Sequence, residues 1–446
     1  MKTLECVEKK LREMDVDAYE IFSMDSHQML AQAKDGEVEL TEQAVEKGVA
    51  IRLFKKGKVS FGCSSDATED GLKKVSQKAY EGLAFLKEED VFDLPQGSDV
   101  SPVSKAGSIS ASLAFTEEDL SKAQETACIL EKAAIQFDSR IRRVRDARFS
   151  QERRKVLLKN SQGFLGQSVW EMGELSIMVV AEGLAQQEMA WEEQSGTNLD
   201  GHAAQRVAHA ACEKAVFQLG AKPVKTQRVP VVLDPVVVCS FLGVLSSSFL
   251  GDQVQKGRSA VADQLGKTIY SKEVTLVDDG TRLGGYLTFP FDGEGSLTRK
   301  NSVVSKGLLS QFLYDGRAAK RAACASTGNS IRPHFKETPR VGVTNFYLEP
   351  GKESLEDLFS QMGTGFWVRD VIGVHTADVV TGDFSLGASG VWIEKGKKQQ
   401  PVRGVTLSGN LHTLFKKVVG VGEDLHFYRS FGAPPILIQQ LDIGGT

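Results

Sequence analysis

The sequence predicts an α+β protein: helices packed on an antiparallel sheet over residues 1–220, then a β-rich, barrel-like domain over residues 221–446. Three observations carry this. Helical and alternating apolar periods interleave in the first half. The texture changes after Lys222-Pro223. Beyond that point short strands recur with Gly, Pro or Asp turns between them, the pattern of a strongly curved or closed sheet. At 446 residues, two domains are the natural expectation.

The elements follow in order. Leu4, Val7, Leu11 and Met14 form one stripe, predicting a helix over 4–14. Ala18 to Met24 and Gly48 to Phe54 alternate like strands, and Lys55-Lys56-Gly57-Lys58 is a hairpin turn into Val59-Ser60-Phe61. A helix runs from about Thr68 to Leu86. Residues 88–115, with two prolines and weak periodicity, read as an ordered but irregular loop. Thr116 ahead of Glu117-Glu118-Asp119 starts a helix that reaches Phe137, because a threonine oxygen caps free N–H groups and acids suit the positive end of the dipole. Strands are expected at Ile141 to Phe149, Arg154 to Lys159 and Gly166 to Glu182. An alanine-rich helix from Asn198 to Leu219 closes this half.

In the second half Asp234 caps, and Pro235 opens, a helix whose body is Val236 to Leu250. Strands are expected at Arg228 to Leu233, Val274 to Val277, Tyr286 to Phe291, Val303 to Leu313 and Val341 to Leu348. Others are Gly365 to Val374, His375 to Val380, Ser389 to Glu394, Pro401 to Ser408 and Pro435 to Asp442.

Composition excludes several classes. A net charge of -4 and a pI near 6.1 leave no basic footprint for nucleic acid. The densest basic run, Lys395-Gly396-Lys397-Lys398, reads as a hairpin tip. The charged N-terminus lacks an apolar signal core. The 17 uncharged residues from Pro235 to Gly251 are short for a membrane span and are broken by three consecutive serines and two glycines, so a buried helix is expected. Six cysteines without a CxxC pair predict reduced, mostly buried thiols and a cytoplasmic location.

The residues that could carry chemistry are few. The seven histidines (27, 202, 209, 334, 375, 412 and 426) form no metal-binding spacing, and HExxH is absent. His202 and His209 lie two helical turns apart, too far for one zinc. Gly387-Ala388-Ser389-Gly390 approaches a nucleophile elbow, but its second glycine comes one place early and Val391 stands in that position; a turn built of small residues is expected. Ser246-Ser247-Ser248 has no evident His partner and is expected to pack. No G-x-G-x-x-G or P-loop is present, so no nucleotide cofactor is expected. Asp292 and Glu294 could do acid–base work or hold a hard cation, although carboxylates flanked by Gly293 and Gly295 are ordinarily solvated on a turn.

From Leu250 onward the chain resembles the TldD/PmbA family, also described as the modulator of DNA gyrase family. The matching stretches are Leu250-Gly251-Asp252 with Lys256-Gly257-Arg258-Ser259, Asp292-Gly293-Glu294-Gly295, Ser305-Lys306-Gly307-Leu308-Leu309 and Ser326-Thr327-Gly328-Asn329. They continue with Thr344 to Gly351, His375-Thr376-Ala377, Thr381 to Gly390 and Gly404 to Asn410, in the family's order. The resemblance implies that a TldD-like subunit carries HExxxH shortly before the Gly-Asp pair, its histidines ligating zinc and its glutamate activating water. Here those positions are Leu242, Gly243 and Ser247. None suits the task, and Cys324 offers no reason to be a ligand. This departure resembles the PmbA (TldE) subunit type.

The implied function is a non-catalytic subunit of a heterodimeric zinc-dependent metalloprotease. It would bind no cofactor itself, with zinc in a TldD-like partner, and would shape a chamber for unfolded or short peptides. Peptide modification and antitoxin turnover are the family's attributed roles; no nucleic acid or membrane partner is expected. The alternatives are an independent peptidase with an unrecognised site and a homodimeric peptide-binding protein.

Overall fold

The structure, a computed structural model, describes residues 2–88, 94–97, 99–100, 112–183 and 186–446. Most of the loop expected over 88–115 lies outside these. Helix makes up 26% and strand 43%, with an N-terminal antiparallel sheet and a closed five-strand barrel towards the C-terminus, which is the predicted fold class.

The first sheet is built from β1 (Ala18–Lys34), β2 (Glu37–Lys55), β3 (Lys58–Ser64), β4 (Ile141–Asn160), β5 (Leu165–Glu182) and β6 (Gln187–Gly196). They lie in the order β3-β2-β1-β4-β5-β6, and the two-residue strand Asp99–Val100 pairs with the start of β5. The predicted β2–β3 turn is present: Lys55 faces Lys58, and Lys56 and Gly57 both take positive φ (49° and 74°). Two left-handed residues in succession make the tight hairpin turn whose twist matches that of the strands.

Four helices cover this sheet: α1 (Lys2–Arg12), α2 (Glu69–Gly82), α3 (Glu117–Phe137) and α4 (Gly201–Gln218). Thr116 and Asp119 close the predicted capping box at the start of α3. Alanines at 123, 127 and 134 of α3 and at 204, 208, 211 and 215 of α4 are buried with Ala147, Phe149, Leu175 and Ile177 of the sheet. Small side chains let the two helices and the sheet approach closely. Val7, Leu11, Leu72 and Val75 of α1 and α2 pack with Ile21, Ile51 and Leu53 at the sheet's other end.

The barrel comprises β7 (Gln227–Leu233), β8 (Gly365–Ile372), β9 (Asp383–Glu394), β10 (Lys397–Asn410) and β11 (Ile436–Gly444). The order β10-β9-β8-β7-β11 closes through pairing of β10 with β11. Lys395 and Gly396 form the predicted hairpin tip between β9 and β10. A further six-stranded sheet contains Leu276–Asp279, Lys300–Ser305, Phe346–Leu348 and Phe431–Ala433. Helix α5 (Pro235–Leu245) shares one core with the barrel and this sheet.

Several expectations need correction. Tyr286 to Phe291 is not a strand, and Val374–Thr376 is a single 3₁₀ turn where a strand from His375 was expected. Val303 to Leu313 breaks at Lys306 and Gly307, both with positive φ. The helix expected to reach Leu250 ends at Leu245 and tightens into a 3₁₀ turn, Ser246–Phe249. Its serines cause this: Ser246 Oγ donates to the Gly243 carbonyl at 2.9 Å, a local bond that competes with the helical ladder. Gly387 to Gly390 lies inside β9 and is no turn. Gly390 is required there because a Cβ would collide with the Trp367 carbonyl oxygen on the neighbouring strand. The sequence reading missed β6. Of the five described thiols, all free, Cys212 and Cys239 are buried and Cys324 is exposed, so the expectation of mostly buried cysteines fails. Among the described residues no helix is long and apolar enough to cross a membrane.

Candidate functional site: the donor-poor helix and a buried ion cluster

Helix α5 buries Val236, Val237, Val238, Cys239, Phe241, Leu242 and Leu245, leaving almost no polar face. Leu242 is 0% exposed and packed in the core. Gly243 offers no side chain, and a Cβ built there would meet the Phe431 ring at 4.0 Å. The space beside this position thus belongs to an aromatic group. Ser247 Oγ lies 3.1 Å from the Val244 carbonyl and 3.0 Å from that of Val379, within reach of two acceptors for its one proton. The three positions therefore supply a hydrocarbon, a bare backbone and an occupied hydroxyl. Zinc takes imidazole, thiolate or carboxylate donors, so the family's metal does not fit here.

The surroundings do not replace the lost donors. The Cys239 thiol sits 3.4 Å from the Phe431 carbonyl, and burial pushes its pKa up to about 12. Metal binding needs the thiolate, which this environment disfavours. Burial also raises the Cys324 thiol. Among the described residues, no three His, Cys, Asp or Glu side chains converge on a common point.

One pairing corrects the sequence reading. Ser248, expected to lack a His partner, has His412 Nε2 3.5 Å from its Oγ, and His412 Nδ1 lies 2.9 Å from the Tyr270 hydroxyl. Ser248 is 1% exposed. Burial, then Lys416, lowers the His412 pKa, and burial raises that of Tyr270. The row ends in a phenol where a serine hydrolase has a carboxylate to orient its imidazole.

Asp292 and Glu294 overturn the expectation of solvated acids: both are buried. Glu20 on β1 and Arg52 on β2 stand opposite each other in the ladder, and Arg52 Nε donates to Glu20 Oε1 at 3.0 Å. Arg52 Nη1 also donates to Glu294 Oε1 at 2.9 Å. Arg332 Nη1 donates to Glu20 Oε1 at 2.7 Å, and its guanidinium lies 4.1 Å from the Phe22 ring centroid. Two acids and two guanidinium groups thus alternate in a buried row, Arg332–Glu20–Arg52–Glu294, that joins the N-terminal sheet to loops of the C-terminal half. Burial acts to raise the Glu20 pKa, but Arg52 and Arg332 outweigh it and hold the carboxyl below its usual range. Burial keeps the Glu294 carboxyl raised despite Arg52. Asp292 stands beside the row, pushed up to about 7 by burial and then by Glu294. It accepts backbone N–H bonds from Glu294, Ser296 and Ser330 at 2.9–3.1 Å. These carboxylates are committed to structure.

A helix-covered sheet of long strands joined to a closed five-strand barrel is the fold shared with the crystal structure of TldE from Thermococcus kodakarensis. That chain superposes with a TM-score of 0.89 at 20% identity, covering 99% of this chain and 100% of its own. A modulator of DNA gyrase from Thermotoga maritima MSB8 gives 0.88 at 22% identity, covering 99% of both chains. The chain belongs to the PmbA/TldD metallopeptidase family: residues 19–82 match PmbA/TldA metallopeptidase domain 1, residues 115–219 its central domain and residues 226–445 its C-terminal domain.

Relatives named PmbA and relatives named TldD are both similar to it. Metalloprotease PmbA of Escherichia coli O157:H7 is 25% identical over 421 residues, covering 92% of this chain and 88% of its own length. The metalloprotease TldD homolog of Haemophilus influenzae is 25% identical over 459 residues, covering 96% and 92%. The same organism's PmbA homolog is 28% identical over 330 residues, covering 74% and 71%. The role is that of a peptidase-family chain.

Proposed function

We propose that this chain is the non-catalytic, PmbA/TldE-like subunit of a zinc-dependent metalloprotease, paired in the cytoplasm with a TldD-like subunit that holds the metal. The observation that carries this reading is the chemistry of α5 and the 3₁₀ turn after it: Leu242, Gly243 and Ser247 stand where a metallopeptidase needs donors. Identity alone does not separate the two subunit types, since PmbA and TldD relatives both stand near 25%. On this reading the chain contributes one wall of a chamber in which unfolded or short peptides are cut.

The open face of the long-stranded sheet suits that task. Opposite its helices it holds a cavity of about 360 Å3, where Gln28, Glu152, Trp170 and Tyr286 offer hydrogen bonds and aromatic surface. Co-expression with a HExxxH-bearing family member from the same genome tests the pairing. The two chains should co-elute as one species that cleaves an unstructured peptide, and chelator should abolish cleavage. Separate elution with no activity in the mixture would refute the reading.

A second reading, an independent peptidase, draws on the Ser248–His412 proximity. The burial of Ser248 and the absence of a carboxylate behind His412 weigh against it.

A further inference from the structure

Where the free end of the first sheet meets the barrel wall, a groove of about 590 Å3 opens between β4, β5 and β6 on one side and β8, β9 and β10 on the other. It adjoins a smaller recess, and Met189, Gln218, Asp370 and Ser389 line both. The groove contains none of the residues of α5 or of the buried row, and the recess touches α5 through Val236.

Most charges around it are matched within the chain. Arg403 pairs with Glu188, Arg143 approaches Glu182 at 3.6 Å and Lys214 holds Glu192 at 2.7 Å. Asp370, the groove's other acid, is raised by burial, with Lys214 acting in the opposite direction. Two guanidinium groups stand apart. Arg145 is exposed, and among the described residues its one hydrogen-bond contact is the Met189 sulfur at 3.7 Å. Arg369 lines the recess, lies over the Trp367 ring at 4.9 Å from its centroid, and has its Nε buried without a hydrogen-bond partner. An acceptor is also unfilled: Gln218 Oε1 is buried and unpartnered. Buried polar atoms in folded proteins nearly always have partners, so an orphan donor and an orphan acceptor lining the same recess call for a ligand that accepts and donates. A carboxylate accepts from guanidinium through two oxygens, and a peptide N–H donates to an amide oxygen. Met189 (59% exposed) and Ile372 (74%) add apolar contact along the same groove.

We infer that this groove and its recess bind a peptide through a carboxylate, with Arg145 in the groove and Arg369 in the recess as cationic anchors and Gln218 accepting a peptide N–H. The carboxylate comes from an Asp or Glu side chain or from the peptide's C-terminus. This deepens the proposed function by naming the class of peptide the subunit holds, and it rests on the reading that the chain handles peptides.

The test is fluorescence anisotropy with the full chain and four labelled, unstructured peptides of one length: Asp-containing with a free C-terminus, the same amidated, its Asn counterpart and its Lys counterpart. The Asp peptide with a free C-terminus should bind at least tenfold more tightly than the Lys peptide. Loss on amidation alone assigns the C-terminus, and loss on Asp-to-Asn exchange alone assigns the side chain. Arg145→Gln, at an exposed position, should keep the wild-type melting temperature and weaken the acidic peptide at least tenfold. Charge-independent binding, absence of binding, or wild-type affinity in R145Q would overturn the inference. Failure of the proposed function looks different. A zinc-bearing partner that cleaves acidic and basic peptides alike, with R145Q as good as wild type, would sink only the groove. Carboxylate-dependent binding without any productive partner would sink only the subunit role.

Discussion

Arg52 reaches out of the N-terminal sheet to Glu294, 242 positions further along the chain, and donates to its carboxylate at 2.9 Å with both side chains buried. The same guanidinium braces Glu20 on the adjacent strand. One side chain therefore ties sheet pairing to the docking of the C-terminal half. Removing one partner of such a buried pair leaves a charge without compensation and costs about 3–5 kcal/mol. Glu294→Ala should destabilise by that amount in urea unfolding. A loss below about 1 kcal/mol would show that the buried row does not hold the halves together.

Asp292 makes stability depend on pH. Its folded pKa, about 7, lies above the ordinary carboxyl value, so the folded state binds the proton more tightly than the unfolded chain. That contribution is fully present below the unfolded pKa near 4 and is lost as pH rises through 7. Asp278, raised to about 6, acts in the same sense. His412, lowered by burial, acts oppositely over part of this window, and Glu20, also lowered, matters only at more acid pH. The difference between wild type and Asp292→Asn isolates the term. From pH 5 to pH 8, wild type should lose more stability than D292N in parallel denaturation curves; equal slopes would contradict the assignment.

Leu242 tests the reading of α5 directly. Leu242→His puts a polar ring into a packed aliphatic site and should cost about 2–5 kcal/mol. Because the remaining donors are missing, added zinc should not restore the melting temperature in a thermal scan. A zinc-dependent recovery would reveal ligands that the fold keeps elsewhere.

Two glycines separate strand packing from elbow chemistry. Gly390→Ala drives a methyl into the Trp367 carbonyl and should destabilise by about 1–3 kcal/mol. Gly387→Ala, whose new atom would come no closer than 3.8 Å to the nearest group, should stay within about 1 kcal/mol in the same melts. Similar effects at both sites would argue against the packing account.

Local signals made much of the fold legible. Thr116 with its following acids, the Lys56-Gly57 and Lys395-Gly396 tips, and the alanine-rich helix ending near Leu219 each act through neighbours in sequence, so sequence could show them. Strand β6 escaped because its exposed edge breaks alternation with Met189 and Trp191 on the outer face and Glu188 and Glu192 buried. The buried row of ion pairs escaped for another reason. Glu20, Arg52, Glu294 and Arg332 meet only through long-range folding, and each alone reads as an ordinary surface charge. His412 beside Ser248 is the same case, 164 positions apart. That Leu242, Gly243 and Ser247 carry no imidazole, thiolate or carboxylate is legible in sequence, because side-chain identity needs no tertiary context.

The central claim concerns where the metal resides, and zinc analysis of each polypeptide tests it most directly. The chain and a HExxxH-bearing partner would be purified separately and as a complex, dialysed without chelator, and measured by mass spectrometry for zinc per polypeptide. The account predicts well under 0.1 zinc on this chain, about one on the partner and about one per complex. About one zinc bound by this chain alone, held through dialysis and lost on substitution of its own histidines or cysteines, would contradict it.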